Sequence, residues 1–174
     1  MEIIKIPIER IRVLLGVNGE TKKRLELLTK TSIKINDDGA VEITGESADE
    51  FFLMDVIKSI GFGFEPRDAE KLLNENYASK FIDLKEICKS KNDLKRIKGR
   101  IIGEEGKMKN EIEAATDCKI SIYERTIGII APLDTILYTE KAINNIIDGA
   151  QLTHIFNDLA KYRREIMSNR LLGR

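Results

Sequence analysis

The sequence predicts an α+β fold made of two copies of one β-α-α-β-β-α unit, followed by an added C-terminal helix. The first observation is a repeat. RVLLGVNGETKKRLELLTKTSIKI at Arg12–Ile35 returns as GRIIGEEGKMKNEIEAATDCKISI at Gly99–Ile122, shifted by 87 residues and without a gap. At that shift Gly16 falls on Gly103, Gly19 on Gly106, Lys22 on Lys109, Leu25 on Ile112, Glu26 on Glu113 and Thr29 on Thr116. The second observation is that each Gly-x-x-Gly lies between two stretches of helical periodicity. The third is that short runs rich in β-branched residues flank each pair of helices.

Each element follows from local pattern. Ile3 to Ile8 and Phe81 to Ile87 read as strands, the latter from the alternation Phe81, Asp83, Lys85, Ile87. A short helix then ends in an aliphatic pair, Leu14-Leu15 or Ile101-Ile102. After the glycines, Glu20 to Thr29 and Lys107 to Thr116 are helices, with Leu25 and Leu28, or Met108, Ile112 and Ala115, on one face. Ser32 to Asn36 turns at Asp37-Asp38-Gly39 into Val41 to Thr44, and Lys119 to Tyr123 turns into Thr126 to Ala131. Helices near Ala48 to Ile60 and Leu133 to Ile147 close the units. The domains are therefore expected at 1–62 and 80–150, joined by a connector over 63–79. Residues 151–174 form the helical extension, with Leu152, Ile155, Phe156, Leu159 and Tyr162 as its apolar stripe.

Composition narrows the function classes. The chain holds 174 residues, 42% apolar and 33% charged, with Lys plus Arg and Asp plus Glu both at 29. Net charge is zero, so any nucleic-acid surface must come from distribution. Residues 1–35 hold eight bases against four acids, 36–90 six against thirteen, and 91–174 fifteen against twelve. Lys89 to Lys109 is the densest basic stretch. No run reaches the length of a membrane span and the charged start does not read as a signal peptide, which places the expected compartment in the cytoplasm. Cys88 and Cys118 have no CxxC spacing and read as reduced structural thiols. The lone His154 has no nucleophile or carboxylate in a recognisable constellation, and no P-loop, HExxH or two-metal carboxylate set occurs. No enzyme, metal or cofactor is expected. With no Trp and 6% aromatics, RNA contact cannot rest mainly on base stacking.

The chemistry is carried by Gly16-Val17-Asn18-Gly19 and Gly103-Glu104-Glu105-Gly106. Glycines let the backbone approach a sugar-phosphate closely, and the N-terminus of the next helix turns N–H groups and a positive dipole end toward the anion. This order of elements, with GxxG between the first two helices, is similar to a KH domain of the eukaryotic (type I) topology. That resemblance implies a three-stranded antiparallel sheet packed on helices and a groove that clamps about four nucleotides. The expected RNA-binding residues are Gly16 to Gly19 with Lys22 and Lys23 in the first unit. In the second they are Lys98, Arg100, Ile101, Ile102, Gly103, Glu104, Glu105, Gly106, Lys107, Lys109, Ile120 and Ile122. Leu14, Leu15, Ile33 and Ile35 would floor the first groove and double as core.

Two such units in so short a chain, Lys98-Gly99-Arg100-Ile101-Ile102-Gly103 before the second GxxG, and Ile147-Asp148-Gly149-Ala150 before the last helix resemble the archaeal partner-of-Nob family. These are tandem-KH factors of small-subunit ribosome biogenesis. The resemblance implies single-stranded RNA at the 3′ end of small-subunit rRNA as ligand. It implies as partners the endonuclease that matures that end and the alpha subunit of translation initiation factor two. In the family the second unit is usually the stronger binder, yet here it carries Glu104 and Glu105 where many KH domains place a base. The alternatives are a protein–protein scaffold of degenerate KH folds and a sequence-tolerant binder of single-stranded nucleic acid.

Overall fold

The computed structural model describes residues 2–36 and 38–173, so Asp37 of the expected first turn lies outside the described residues. The first unit runs β1 (Glu2–Lys5), α1 (Ile8–Leu15), α2 (Glu20–Thr29), β2 (Ser32–Ile35), β3 (Ala40–Thr44) and α3 (Ser47–Gly61). Its antiparallel sheet has the order β1-β3-β2, with Ile33 opposite Ile43. Alternation sends Ile33, Val41 and Ile43 inward, where they meet Leu14, Leu25, Leu53 and Val56, all sealed from solvent. The short helix α4 (Pro66–Ala69) and a 3₁₀ turn (Glu70–Leu73) fold back on α3 and bury Ala69 and Leu72.

The second unit repeats the plan with β4 (Tyr77–Asp83), α5 (Lys91–Ile102), α6 (Lys107–Thr116), β5 (Lys119–Tyr123), β6 (Thr126–Pro132) and α7 (Ile136–Ile147). Its sheet order is β4-β6-β5. A final helix, α8 (Leu152–Leu171), packs on α6 and α7 and buries Ile155, Leu159, Tyr162 and Ile166. The boundary between the two compact units, Ser79 to Lys80, falls inside β4. Among the described residues no helix is long and apolar enough to cross a membrane. Cys88 and Cys118 are free and buried, and burial pushes the Cys118 thiol up to about 11.

Several boundaries differ from the sequence reading. Ile8 opens α1 instead of ending β1, because Ile6 N–H makes the last sheet bond, to Gly39 O at 3.0 Å, and Pro7 then turns the chain into the helix. β4 starts at Tyr77 and stops at Asp83. The Asp83 carboxylate accepts from Lys85 N–H at 2.8 Å and bends the backbone, so the alternation through Lys85 and Ile87 continues past a turn. α7 starts at Ile136 because Leu133–Thr135 form a turn closed by Thr135 N–H to Pro132 O at 3.0 Å.

The structure carries the repeat far beyond the sequence match and shows where it slips. Leu84 N–H bonds Arg125 O at 2.8 Å as Ile6 N–H bonds Gly39 O, so Ile6 matches Leu84 at a shift of 78. The second unit thus has nine extra residues before its GxxG region, part of which lengthens α5. Ile33 faces Ile43 whereas Ile120 faces Ile129, so the second hairpin is one residue shorter and the shift becomes 86. At that shift buried Leu53, Val56, Ile57 and Ile60 fall on buried Thr139, Ala142, Ile143 and Ile146.

A candidate nucleic-acid interface

The two GxxG loops share one backbone. Gly16 has φ 70° and ψ 179°, Asn18 φ 53° and Gly19 φ 76°, against 75° and 176°, 49° and 79° at Gly103, Glu105 and Gly106. The two glycines of each motif do different jobs. A Cβ on Gly16 would sit 2.2 Å from Thr21 Oγ1, and one on Gly103 would sit 2.7 Å from the Met108 nitrogen. Those first glycines are required for packing. A Cβ on Gly19 would meet nothing within 4 Å, and one on Gly106 would meet only Asn110 Nδ2, at 3.9 Å. The second glycines present bare backbone at the start of α2 and α6, where an anion can close on it.

Beside each loop runs a groove. In the first unit Ile8, Ile11, Arg12 and Leu15 present one face of α1, and Lys22, Ile35 and Asn36 complete an open groove of about 390 Å³. In the second, Lys91, Leu94, Lys95, Lys98, Gly99 and Ile102 line one of about 380 Å³ along α5. The repeat places Ile8 on Lys95, Ile11 on Lys98 and Leu15 on Ile102, so the walls share a frame and differ in side chains. A matched carboxylate tethers strand to helix in each: Glu26 Oε1 accepts Ile33 N–H at 2.8 Å and Glu113 Oε1 accepts Ile120 N–H at 2.9 Å. The same carboxylates hold Lys22, which lines the first groove, at 3.7 Å and Lys109 at 3.8 Å.

Most of the expected site residues lie on this surface. Val17 is 78% exposed, Asn18, Lys23, Glu104 and Glu105 are exposed, Lys98 and Ile102 line the second groove, and Ile122 is half-buried. Lys107 is exposed with its Nζ 5.9 Å above the Phe156 ring, on the side of α6 that faces α8.

Three assignments are corrected. Ile101 and Ile120 are 0% and 3% exposed, so these two belong to the core. Leu14 and Ile33 are their counterparts in the first unit and are core for the same reason. Arg100 is a structural clamp: its Nη1 donates to Ile146 O at 2.9 Å and its Nη2 to Ala150 O, neutralising carbonyls at the end of α7. Arg10 does the same in the first unit, to Ile60 O at 2.8 Å and Phe64 O at 2.7 Å. The sequence reading missed Ile8, Ile11, Arg12 and Asn36 in the first groove and Lys91 and Lys95 in the second. The spacing of Ile8, Ile11, Arg12 and Leu15 was a signal for that helix face. His154 is exposed on α8.

Comparison with known proteins agrees with this geometry. Residues 78–164 match a family described as "Eukaryotic type KH-domain (KH-domain type I)", and residues 1–51 match the KH domain. The KH domain-containing protein MJ0443 of Methanocaldococcus jannaschii is 33% identical over 171 residues, covering 95% of this chain and 75% of that protein. The pre-rRNA-processing protein pno1 of Aspergillus oryzae is 30% identical over 111 residues, 62% of this chain but only 42% of the fungal protein. The Dim2p chain in the crystal structure of an a/eIF2alpha–aDim2p–rRNA complex from Pyrococcus horikoshii OT3 is 34% identical, with a TM-score of 0.87 over 94% of each chain. Two GxxG loops with one backbone, a type I sheet in each unit and these likenesses along nearly the whole length lead to one conclusion: the chain belongs to the tandem KH-domain family of the PNO1/Dim2 pre-rRNA-processing proteins.

Proposed function

We propose that this protein is a non-catalytic adaptor of small-subunit ribosome biogenesis that holds the 3′ end of small-subunit pre-rRNA, as a single strand, in its KH grooves. The observation that carries the reading is the pair of bare second glycines, Gly19 and Gly106, each opening a helix beside a groove lined with cationic and aliphatic side chains. The loop would receive phosphate on backbone N–H groups, Lys22, Lys23, Lys98 and Lys109 would neutralise its neighbours, and Leu15, Ile35, Ile102 and Ile122 would take base faces. Support comes from the related complex, which contains rRNA and a/eIF2alpha, and from the pre-rRNA-processing name of the fungal relative. The partners proposed are the alpha subunit of translation initiation factor two and the endonuclease that matures the rRNA end, in the cytoplasm.

One observation favours a scaffold reading for the second unit alone: Glu104 and Glu105 are exposed in the loop that would meet phosphate. Fluorescence anisotropy with a short strand matching the rRNA 3′ end, a scrambled RNA and a DNA copy separates the readings. Gly19→Asp and Gly106→Asp each place a carboxylate where nothing else crowds it. The adaptor reading expects RNA-preferring, sequence-dependent binding that falls about tenfold or more in at least one variant. Weak binding indifferent to both substitutions would leave the scaffold.

A further inference from the structure

We infer that the apolar face formed by Leu27 and Leu28 of α2 with Phe51 and Phe52 of α3 docks an amphipathic helix of a protein partner that turns a carboxylate toward Lys30. The second unit supplies the template. There α8 lies on α6 and α7 with the Tyr162 ring tilted at 45° to that of Tyr138, centroids 4.9 Å apart, and Arg170 reaches Asp134 at 2.8 Å and Asp117 at 3.9 Å.

The first unit starts the same helix and abandons it. At the shift of 86 Pro66 falls on Leu152, Ala69 on Ile155 and Leu73 on Leu159, so α4 and its 3₁₀ turn stand for the first two turns of α8. The chain then leaves at Asn74, whose carbonyl accepts from Tyr77 N–H at 3.0 Å as β4 begins. At the matched surface Leu28, the counterpart of half-buried Ala115, is 55% exposed. Leu27 at 81% and Phe51 at 57% extend this face beyond what α8 covers, since their counterparts Ala114 and Leu137 stay exposed in the second unit. Phe52, the counterpart of Tyr138, is half-buried with its ring edge-on to Phe51 at 5.9 Å. Exposed leucine and phenylalanine grouped on adjacent helices mark an interaction surface.

Size and charge select the occupant. Leu28 is larger than Ala115 at the matched position, so the visiting helix carries a small residue against it. Asp117 becomes Lys30 and Lys141 becomes Asp55, a reversed pair of charges; burial raises the Asp55 carboxyl above its usual range, whereas Lys30 and Lys23 stand exposed. Arg24, the remaining base on this side of α2, is held by Glu70. A helix with an acid in the place of Arg170 fits. A second copy's α8 does not, because its stripe is buried in its own unit and Arg170 would face Lys30.

The test uses the full chain and a synthetic peptide of its own residues 152–172 carrying Tyr162→Ala and Arg170→Glu, followed by fluorescence anisotropy. Saturable binding is expected, reduced at least tenfold by Leu28→Lys or Lys30→Glu in the protein. Putting Arg back at 170 of the peptide should weaken binding to the wild type and restore it to the Lys30→Glu protein, a reversal that exchange at the second unit cannot produce. Leu28→Lys should leave the melting temperature and RNA affinity unchanged, which separates this inference from the RNA reading. No saturation up to about 1 mM peptide, or equal binding to wild type, Leu28→Lys and Lys30→Glu, overturns it. Self-association abolished by Leu28→Lys overturns the choice of occupant.

Discussion

In the first groove the loop is neutral, Val17 and Asn18, and the helical wall is aliphatic, Ile8, Ile11 and Leu15 with Arg12 as its one cation. In the second the loop is acidic, Glu104 and Glu105, and the wall carries Lys91, Lys95 and Lys98. The backbone is the same in both. What differs is where positive charge stands relative to the bare glycine. A carboxylate about 5 Å from a phosphate repels it by roughly 1 kcal/mol in water and by more at lower effective dielectric, so the second loop discourages what its wall invites. The same exposed acids sit at the start of α6 and stabilise it through the helix dipole by about 0.3–1 kcal/mol. If both grooves take RNA as proposed, the contrast predicts a division of labour: a first groove that would hold its strand by close approach and apolar contact, and a second whose grip would be largely ionic and set back from the loop.

The sharpest way to break the comparison is to remove what the loops share. Gly103→Ala forces a Cβ against the Met108 backbone at positive φ, and should cost about 3 kcal/mol by urea unfolding. Gly16→Ala meets Thr21 Oγ1, which can rotate away, but also Thr21 Cβ at 2.8 Å and the Thr21 backbone nitrogen at 2.9 Å, which cannot, and should cost about as much. Losses that differ by more than about 1 kcal/mol would mean the two loops are not supported as described.

Charge comes next. Glu104→Lys with Glu105→Lys should raise RNA affinity about tenfold at low salt and steepen the salt dependence by about 0.7 for each phosphate gained, whereas Val17→Lys adds only one such unit. An unchanged slope would remove the second groove from the RNA path. Smaller still, Lys95→Ala and Lys98→Ala should each flatten the slope by about 0.7, while Ile8→Ala and Ile11→Ala should lower affinity without moving it. The smallest effect expected is stabilisation: Glu105 sits at φ 49° where the first unit has Asn18, and Glu105→Asn should add about 0.5 kcal/mol to unfolding free energy.

Much of this was legible before any coordinates. The bounds of α2 and α6, Glu20–Thr29 and Lys107–Thr116, follow from the glycines before each helix and the helical spacing of its apolar residues. That works because a GxxG turn and an αL cap at Lys30 or Asp117 are local, short-range features. The strand before α5 was read too late because alternation does not stop where pairing stops: Asp83 ends β4 through its own side chain, while Lys85 and Ile87 keep the pattern. Ile101 and Ile120 were misassigned because an aliphatic side chain reads alike whether it lines a groove or fills a core. Only the packing of α6 and α7 over them decides. Arg100 was taken for a phosphate ligand since a sequence shows the cation and not the carbonyls it has already met.

The two clamping arginines also bear on how the units came to differ. Arg10 would fall on Ile97 and Arg100 on Val13 in the repeat, one helical turn apart on the same face, yet both reach the equivalent pair of carbonyls, Ile60 and Phe64 or Ile146 and Ala150. If the halves descend from one duplicated ancestor, the interaction outlived the position that made it. A long side chain with a branched tip can be exchanged for another a turn away while the helix end it neutralises stays served. Relatives should then be compared contact by contact, because a column-by-column alignment of these halves scores as two unrelated losses what is one retained bond.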